Sequence, residues 1–117
     1  MTYKRSDRIA DLIKEEISTM LVMDELNDPR IGFVTITKVI LSDDLHHARV
    51  FFSSLGTDEE REASELGLQS ASGYIKRILA KRLDLKHIPE IIFKYDASIS
   101  YSSRINEVLK GLKEKSS

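Results

Sequence analysis

The chain has 117 residues, 41% of them apolar, enough for one domain with a real core. It contains no Cys, which excludes disulfides, thiolate metal sites and thiol catalysis and fits a reducing compartment. The formal net charge of −1 hides a segregated distribution, so the total argues against indiscriminate coating of nucleic acid while a local basic face stays compatible with RNA.

Met1 to Asp7 is charged and is followed by an amphipathic pattern, so no secretory signal is expected, and no run approaches the roughly 18 apolar residues of a membrane span. A cytoplasmic, soluble protein is the expectation. Ser6 can cap a first helix, in which Ile9, Leu12, Ile13, Ile17, Met20 and Leu21 mark one apolar stripe. Lys4, Arg5 and Arg8 stand at its start, the wrong end for the helix dipole. They are either candidates for an external anion or a solvated terminus. Pro29 disfavours helical geometry at Asp28 and ends the helix in Asn27-Asp28-Pro29-Arg30. Arg30 is a turn residue paired with a nearby carboxylate, or a further basic contact.

Ile31 to Leu41 is rich in β-branched residues and reads as a strand. Lys38 interrupts its Val34/Ile36/Ile40 face, which points to a bulge or a ragged edge. Ser42-Asp43-Asp44 is turn chemistry. Leu45 to Leu55 is a second strand, with Ala48, Val50 and Phe52 on one side and Arg49, Phe51 and Ser53 on the other. The short connection predicts an antiparallel hairpin, ended by Gly56.

Thr57 to Leu85 reads as two helical segments joined at Ala71-Ser72-Gly73. Thr57 and Glu60 have the form of a capping box. The first segment is acidic, with five acids and one base from Asp58 to Glu65; the second holds five bases and one acid from Lys76 to Lys86. Ile75, Ile78, Leu79 and Leu83 form the buried side of the second segment, and Arg77 and Lys81, four apart, share the opposite side. Gly67 and Gly73 each weaken a continuous helix by about 1 kcal/mol relative to Ala. A bend is expected, with the N-terminus of the basic helix partly freed for a phosphate. The bland alternative is a helix pair that only packs.

Pro89 marks a second break, Ile91 to Tyr95 a third strand, and Ile105, Val108, Leu109 and Leu112 a short terminal helix before a frayed tail at 113–117. The order is α-β-β-α-α-β in a single α+β domain, with helices covering one face of a three-stranded sheet.

Six motifs then fall in order: Asp28-Pro29-Arg30; Val34-Thr35-Ile36-Thr37-Lys38-Val39; Ser42-Asp43-Asp44-Leu45 with Ala48-Arg49-Val50; Ala71-Ser72-Gly73-Tyr74-Ile75-Lys76-Arg77; Pro89-Glu90-Ile91-Ile92-Phe93; and Asp96-Ala97-Ser98-Ile99. Together they resemble the ribosome-binding factor A family of bacterial small-subunit assembly factors, from Arg8 to Leu109. The resemblance implies a KH-like type II fold, α-β-β-α-kink-α-β, in which Ala71-Ser72-Gly73 replaces the Gly-x-x-Gly loop. It further implies binding to free immature small ribosomal subunits and their ribosomal RNA, help in maturing the 5′ end of that RNA, and a role in cold adaptation. Two departures stand out. Asp84 lies in a stretch usually more basic in the family, and Ser102-Ser103 replaces a common Gly-Asn turn.

The candidate RNA-binding residues are Lys4, Arg5, Arg8, Arg30, Ser72, Gly73, Lys76, Arg77, Lys81, Arg82 and Lys86. Lys and Arg neutralise phosphates and release counterions, which positions a protein without reading sequence. With no Gly-x-x-Gly loop, shape recognition of folded RNA is favoured over clamping of single-stranded bases. Arg82 also adjoins the apolar side and can snorkel over it. Asp43, Asp44, His46 and His47 cluster at one turn, but adjacent strand residues point to opposite faces, so the two imidazoles do not easily share a metal. No nucleophile–base pair and no phosphate-binding Gly motif is present. A monomeric non-enzyme without cofactors is expected. The rival reading is a protein-interaction module docking through its acidic and basic helices.

Overall fold

The structure, a computed structural model, describes residues 3–97; the expected terminal helix at 105–112, the tail at 113–117 and Ser102-Ser103 lie outside them. Six elements follow in order: α1 (Arg5–Val22), β1 (Phe33–Leu41), β2 (His47–Leu55), α2 (Asp58–Ser70), α3 (Ser72–Arg82) and β3 (Glu90–Tyr95). The sheet order is β1-β2-β3. β1 and β2 form the expected antiparallel hairpin, while β3 lies parallel to β2. A parallel neighbour requires a long crossover, and α2 with α3 supplies it.

Helix α1 starts differently from the expectation. Lys4, not Ser6, is its N-cap, and the Asp7 carboxylate accepts the Lys4 N–H at 3.0 Å. A charged carboxylate three residues on reaches back to that N–H and also suits the positive helix end. The buried stripe Ile9, Ile13, Ile17 and Met20 then lies against the sheet, while Leu12 faces solvent.

Strand β1 carries the bulge that Lys38 suggested. Ile36 pairs with Phe52, but Lys38, not Thr37, pairs with Phe51. One extra residue reverses the inward parity. Ile36 before it and Leu41 after it are buried, with Val39 packed on the core, whereas Ile40 is 40% exposed. The expected Val34/Ile36/Ile40 face is therefore corrected: Ile40 points out because the strand changes parity at Thr37. The Thr37 hydroxyl donates to the buried Asp96 Oδ2 at 2.7 Å, and Asp96 N donates to Phe52 O at 2.8 Å. Bulge and end of β3 are thus tied together.

The core is one cluster. Ala48, Val50 and Phe52 of β2, with Ile91 and Phe93 of β3, meet Leu68, Ile75 and Leu79 from the crossover helices and the α1 stripe. All three helices cover this side, leaving Lys38, Arg49 and Lys94 exposed on the other face.

Two polar side chains from α2 seat the helices. Gln69 Oε1 accepts the Phe93 N–H at 3.0 Å and its Nε2 donates to Ile91 O at 3.2 Å. It acts as a one-residue strand along the outer edge of β3, satisfying backbone groups that an edge leaves unpaired. Ser64, fully enclosed, accepts the Gly32 N–H at 3.1 Å and donates to Arg30 O at 3.4 Å.

Candidate nucleic-acid interface

The Thr57 capping box forms as read, with Glu60 N donating to Thr57 Oγ1 at 3.1 Å and Thr57 N donating to Glu60 Oε1 at 3.2 Å. The joint is a single residue. Ala71, at φ −83° and ψ −2°, ends α2 and begins α3 with no side-chain cap. Its N–H is shared between Gly67 O and Leu68 O, both at 3.1 Å, and its carbonyl accepts Ile75 N–H at 2.9 Å.

Gly73 is exposed, and a Cβ built on it would meet nothing nearer than Arg77 Nη1 at 4.0 Å. Residues 73, 77 and 81 are spaced by four and lie one above another on α3. A bare backbone patch thus continues into Arg77 and Lys81. Both side chains are exposed, and neither makes an ion pair among the described residues. Arg77 lies over the Tyr74 ring at 5.9 Å. Ser72 opens the same turn, half-buried.

Other candidates are engaged within the protein. Arg82 reaches Glu16 at 3.4 Å and Glu25 at 3.0 Å, tying the end of α3 to α1 and to the segment that follows it. Lys76 donates to Glu90 Oε1 at 2.6 Å, and its ammonium lowers the Glu90 carboxyl. Arg30 grips Asp28 through two bonds, Nε to Oδ1 at 3.1 Å and Nη2 to Oδ2 at 2.8 Å. The nearby carboxylate of the turn reading is thus Asp28. These three cations carry their counter-charges with them, which reduces what they offer a phosphate.

Lys86 and Asp84 stand after the helix, because α3 ends at Arg82 and Leu83 is extended at φ −112° and ψ 136°. They do not continue its stripe. Lys4, Arg5 and Arg8 are exposed at the opposite end of α1 from Arg82's partners, roughly 16 Å from Glu16 along the axis for Arg5. They form a second cationic group, near the Tyr3 hydroxyl that donates to Asp11.

The Asp28 carboxyl is pulled down to about 2, first by the Arg30 side-chain bond and then by the Arg30 N–H. A depressed carboxylate contributes stability above its unfolded value and loses it as pH falls through the folded one. The Asp28–Arg30 turn is expected to hold until pH falls below about 4 and to open towards pH 2. The Asp28 carboxyl carbon, followed by NMR, checks this; a midpoint near the ordinary value of 3.8 would contradict the bond.

Among the described residues no group of three or more metal-ligating side chains is gathered. His46 faces His87, with Nδ1 and Nε2 3.2 Å apart. No helix of the described residues is long and apolar enough to cross a membrane.

The resemblance read from the motifs holds over nearly the whole chain in comparisons with known proteins. The family model for ribosome-binding factor A matches residues 5–109. The ribosome-binding factor A of Geotalea daltonii is 48% identical over 108 residues, covering 92% of this chain and 87% of that one. The crystal structure of ribosome-binding factor A from Thermus thermophilus superposes with a TM-score of 0.67 at 22% identity, over 80% of this chain and 97% of that one. A Thermus thermophilus homology model fitted into a cryo-EM map of a 30S complex superposes at a TM-score of 0.55 and 22% identity, over 71% and 90% of the two chains. The α-β-β-α-α-β order is the KH-like fold of those structures. By sequence along nearly its full length and by fold, this chain belongs to the ribosome-binding factor A family.

Proposed function

We propose that this protein is a non-catalytic assembly factor that binds free immature small ribosomal subunits through their ribosomal RNA. In this reading it assists late maturation, including that of the RNA 5′ end, and supports growth in the cold. It works as a monomer in the cytoplasm without a cofactor. Family membership and the 30S complex of the Thermus thermophilus relative support the partner. The observation that carries the site is the Gly73–Arg77–Lys81 stripe, a bare backbone position in line with two cations that no carboxylate of the described residues neutralises.

In this reading Arg77 and Lys81 hold phosphates while Gly73 lets the RNA backbone approach the helix. Lys4, Arg5 and Arg8 add a second point of contact, and Ser72 can bond to a phosphate beside the joint. Arg30, Lys76, Arg82 and Lys86 contribute to the local field. Contacts of this kind position the protein on a folded RNA outline without reading bases.

The test is co-sedimentation with small subunits from cells stalled in assembly and with finished subunits, across a salt series. Four or more phosphate contacts give a log–log slope of about −3.6 or steeper with duplex-like RNA. Preferential binding to the immature particle with such a slope is expected. A slope shallower than about −1 would mean that phosphates do not carry the association.

A further inference from the structure

The sheet face turned away from the helices carries two rows that cross all three strands. Lys38 stands opposite Phe51, and Phe51 opposite Lys94; Ile40 stands opposite Arg49, and Arg49 opposite Ile92. The rows read Lys–Phe–Lys and Ile–Arg–Ile. The bulge at Thr37 creates them, since without the parity change Lys38 would point into the core.

Lys38, Arg49 and Lys94 are all exposed, and none makes an ion pair among the described residues. Glu90, on the same side of β3 by alternation, is held by Lys76 at 2.6 Å. Lys38 and Lys94 lie roughly 10 Å apart across two strand spacings, with Arg49 one row along. Such a concentration of positive charge favours an anionic partner. Phe51 decides which kind. Its half-buried ring lies in the middle of the row, with the Lys38 ammonium 4.7 Å from its centroid. A ring between two cations matches a nucleobase with a phosphate on either side, the combination used by single-strand binders. An acidic peptide would satisfy the charges but offers no planar group for the ring.

We infer that this open sheet face is a second RNA-binding surface, taking a short single-stranded segment. One base stacks on Phe51 and displaces Lys38 towards a phosphate; Lys94 and Arg49 hold neighbouring phosphates, and Ile40 and Ile92 pack against the sugar edges. The inference extends the RNA reading above but uses none of its residues, so the two can fail separately. Function then has two modes: shape recognition on the helix side and single-strand capture on the sheet side.

The experiment is fluorescence anisotropy of the full chain with a labelled uridine decamer over a salt series. Binding is expected, and Lys38→Gln with Lys94→Gln lowers the log–log salt slope by about 1.4, two single-strand phosphate contacts. Phe51→Ala and Phe51→Leu both weaken binding by about tenfold, the loss of one stacked base. Phe51 lies outside the core cluster, so both variants stay folded by circular dichroism. Arg77→Gln with Lys81→Gln weakens co-sedimentation with subunits, and in that background the Phe51 and lysine substitutions still reduce decamer binding by the same factors.

No decamer binding, lysine variants with an unchanged slope, or Phe51→Leu binding like the parent would overturn the sheet-face inference. A glutamate decapeptide binding as tightly as the RNA would overturn it as well. If those results came with weakened co-sedimentation of the helix variants, the helix reading alone would stand. Decamer binding with unaffected co-sedimentation would leave only the sheet face.

Discussion

Replacing Arg77 and Lys81 together with Glu is expected to abolish association with immature small subunits, a loss of about 100-fold or more. Each charge-assisted bond to a phosphate contributes about 1.5–3 kcal/mol, and reversal adds repulsion at both positions. Both side chains are exposed and without ion pairs among the described residues, so the fold has little to lose. Melting and far-UV circular dichroism should match the parent. Arg82→Glu is the instructive contrast. It sets a third carboxylate beside Glu16 and Glu25, where the guanidinium now sits at 3.4 and 3.0 Å, and lowers stability before it reports on RNA. Lys76→Glu likewise faces Glu90. Co-sedimentation of the folded Arg77/Lys81 variant at the parental level would refute the stripe as the binding element.

That contrast shows what could be read from residues and what could not. The six elements, the hairpin, the capping box and the joint at Ala71 follow from local rules: β-branched runs, turn residues, periodic apolar positions and a Thr–Glu pair three apart. Membership of the family followed from six motifs in sequence. The local Asp28–Arg30 pair was among the readings of that turn, but charge pairing between distant elements was not legible, because it is set by tertiary contacts. Arg82 meets Glu16 across 66 positions and Lys76 meets Glu90 across 14, so a string of five bases looked like one patch although two of them are neutralised inside the fold and Lys86 lies past the helix end. The bulge was visible as a misplaced Lys38, yet its consequence was not. Only the register shows that it turns Lys38 and Ile40 outward beside Phe51 and Arg49. Gln69 and Ser64 carried no signal at all, since a polar residue on a helix reads as solvated until the strand edge or turn it bonds to is placed beside it.

Gly67 and Gly73 look alike in sequence, each a helix-weakening glycine, but they are expected to respond to Ala with opposite sign. At Gly67 a Cβ would stand 2.8 Å from Ile31 Cγ1, 3.3 Å from Arg30 Cβ and 3.4 Å from Asp28 Cγ. Ile31 is held by the turn that Ser64 seats on α2, and Asp28 by Arg30, so the obstruction is not a free side-chain end. Overpacking costs about 1–3 kcal/mol, against about 1 kcal/mol regained from helix propensity. Gly67→Ala therefore lowers the melting temperature by several degrees, at about 4 °C per kcal/mol for a chain of this size, and Gly67→Val lowers it further. At Gly73 the same Cβ meets only Arg77 Nη1 at 4.0 Å. Gly73→Ala keeps the propensity gain and raises the melting temperature, while the added methyl stands where the RNA backbone would approach and weakens subunit binding several-fold. Calorimetry on both variants separates the two roles. A stabilised Gly67→Ala would mean that the turn yields to α2 at no cost, and a Gly73→Ala variant that binds subunits normally would move the RNA away from the joint.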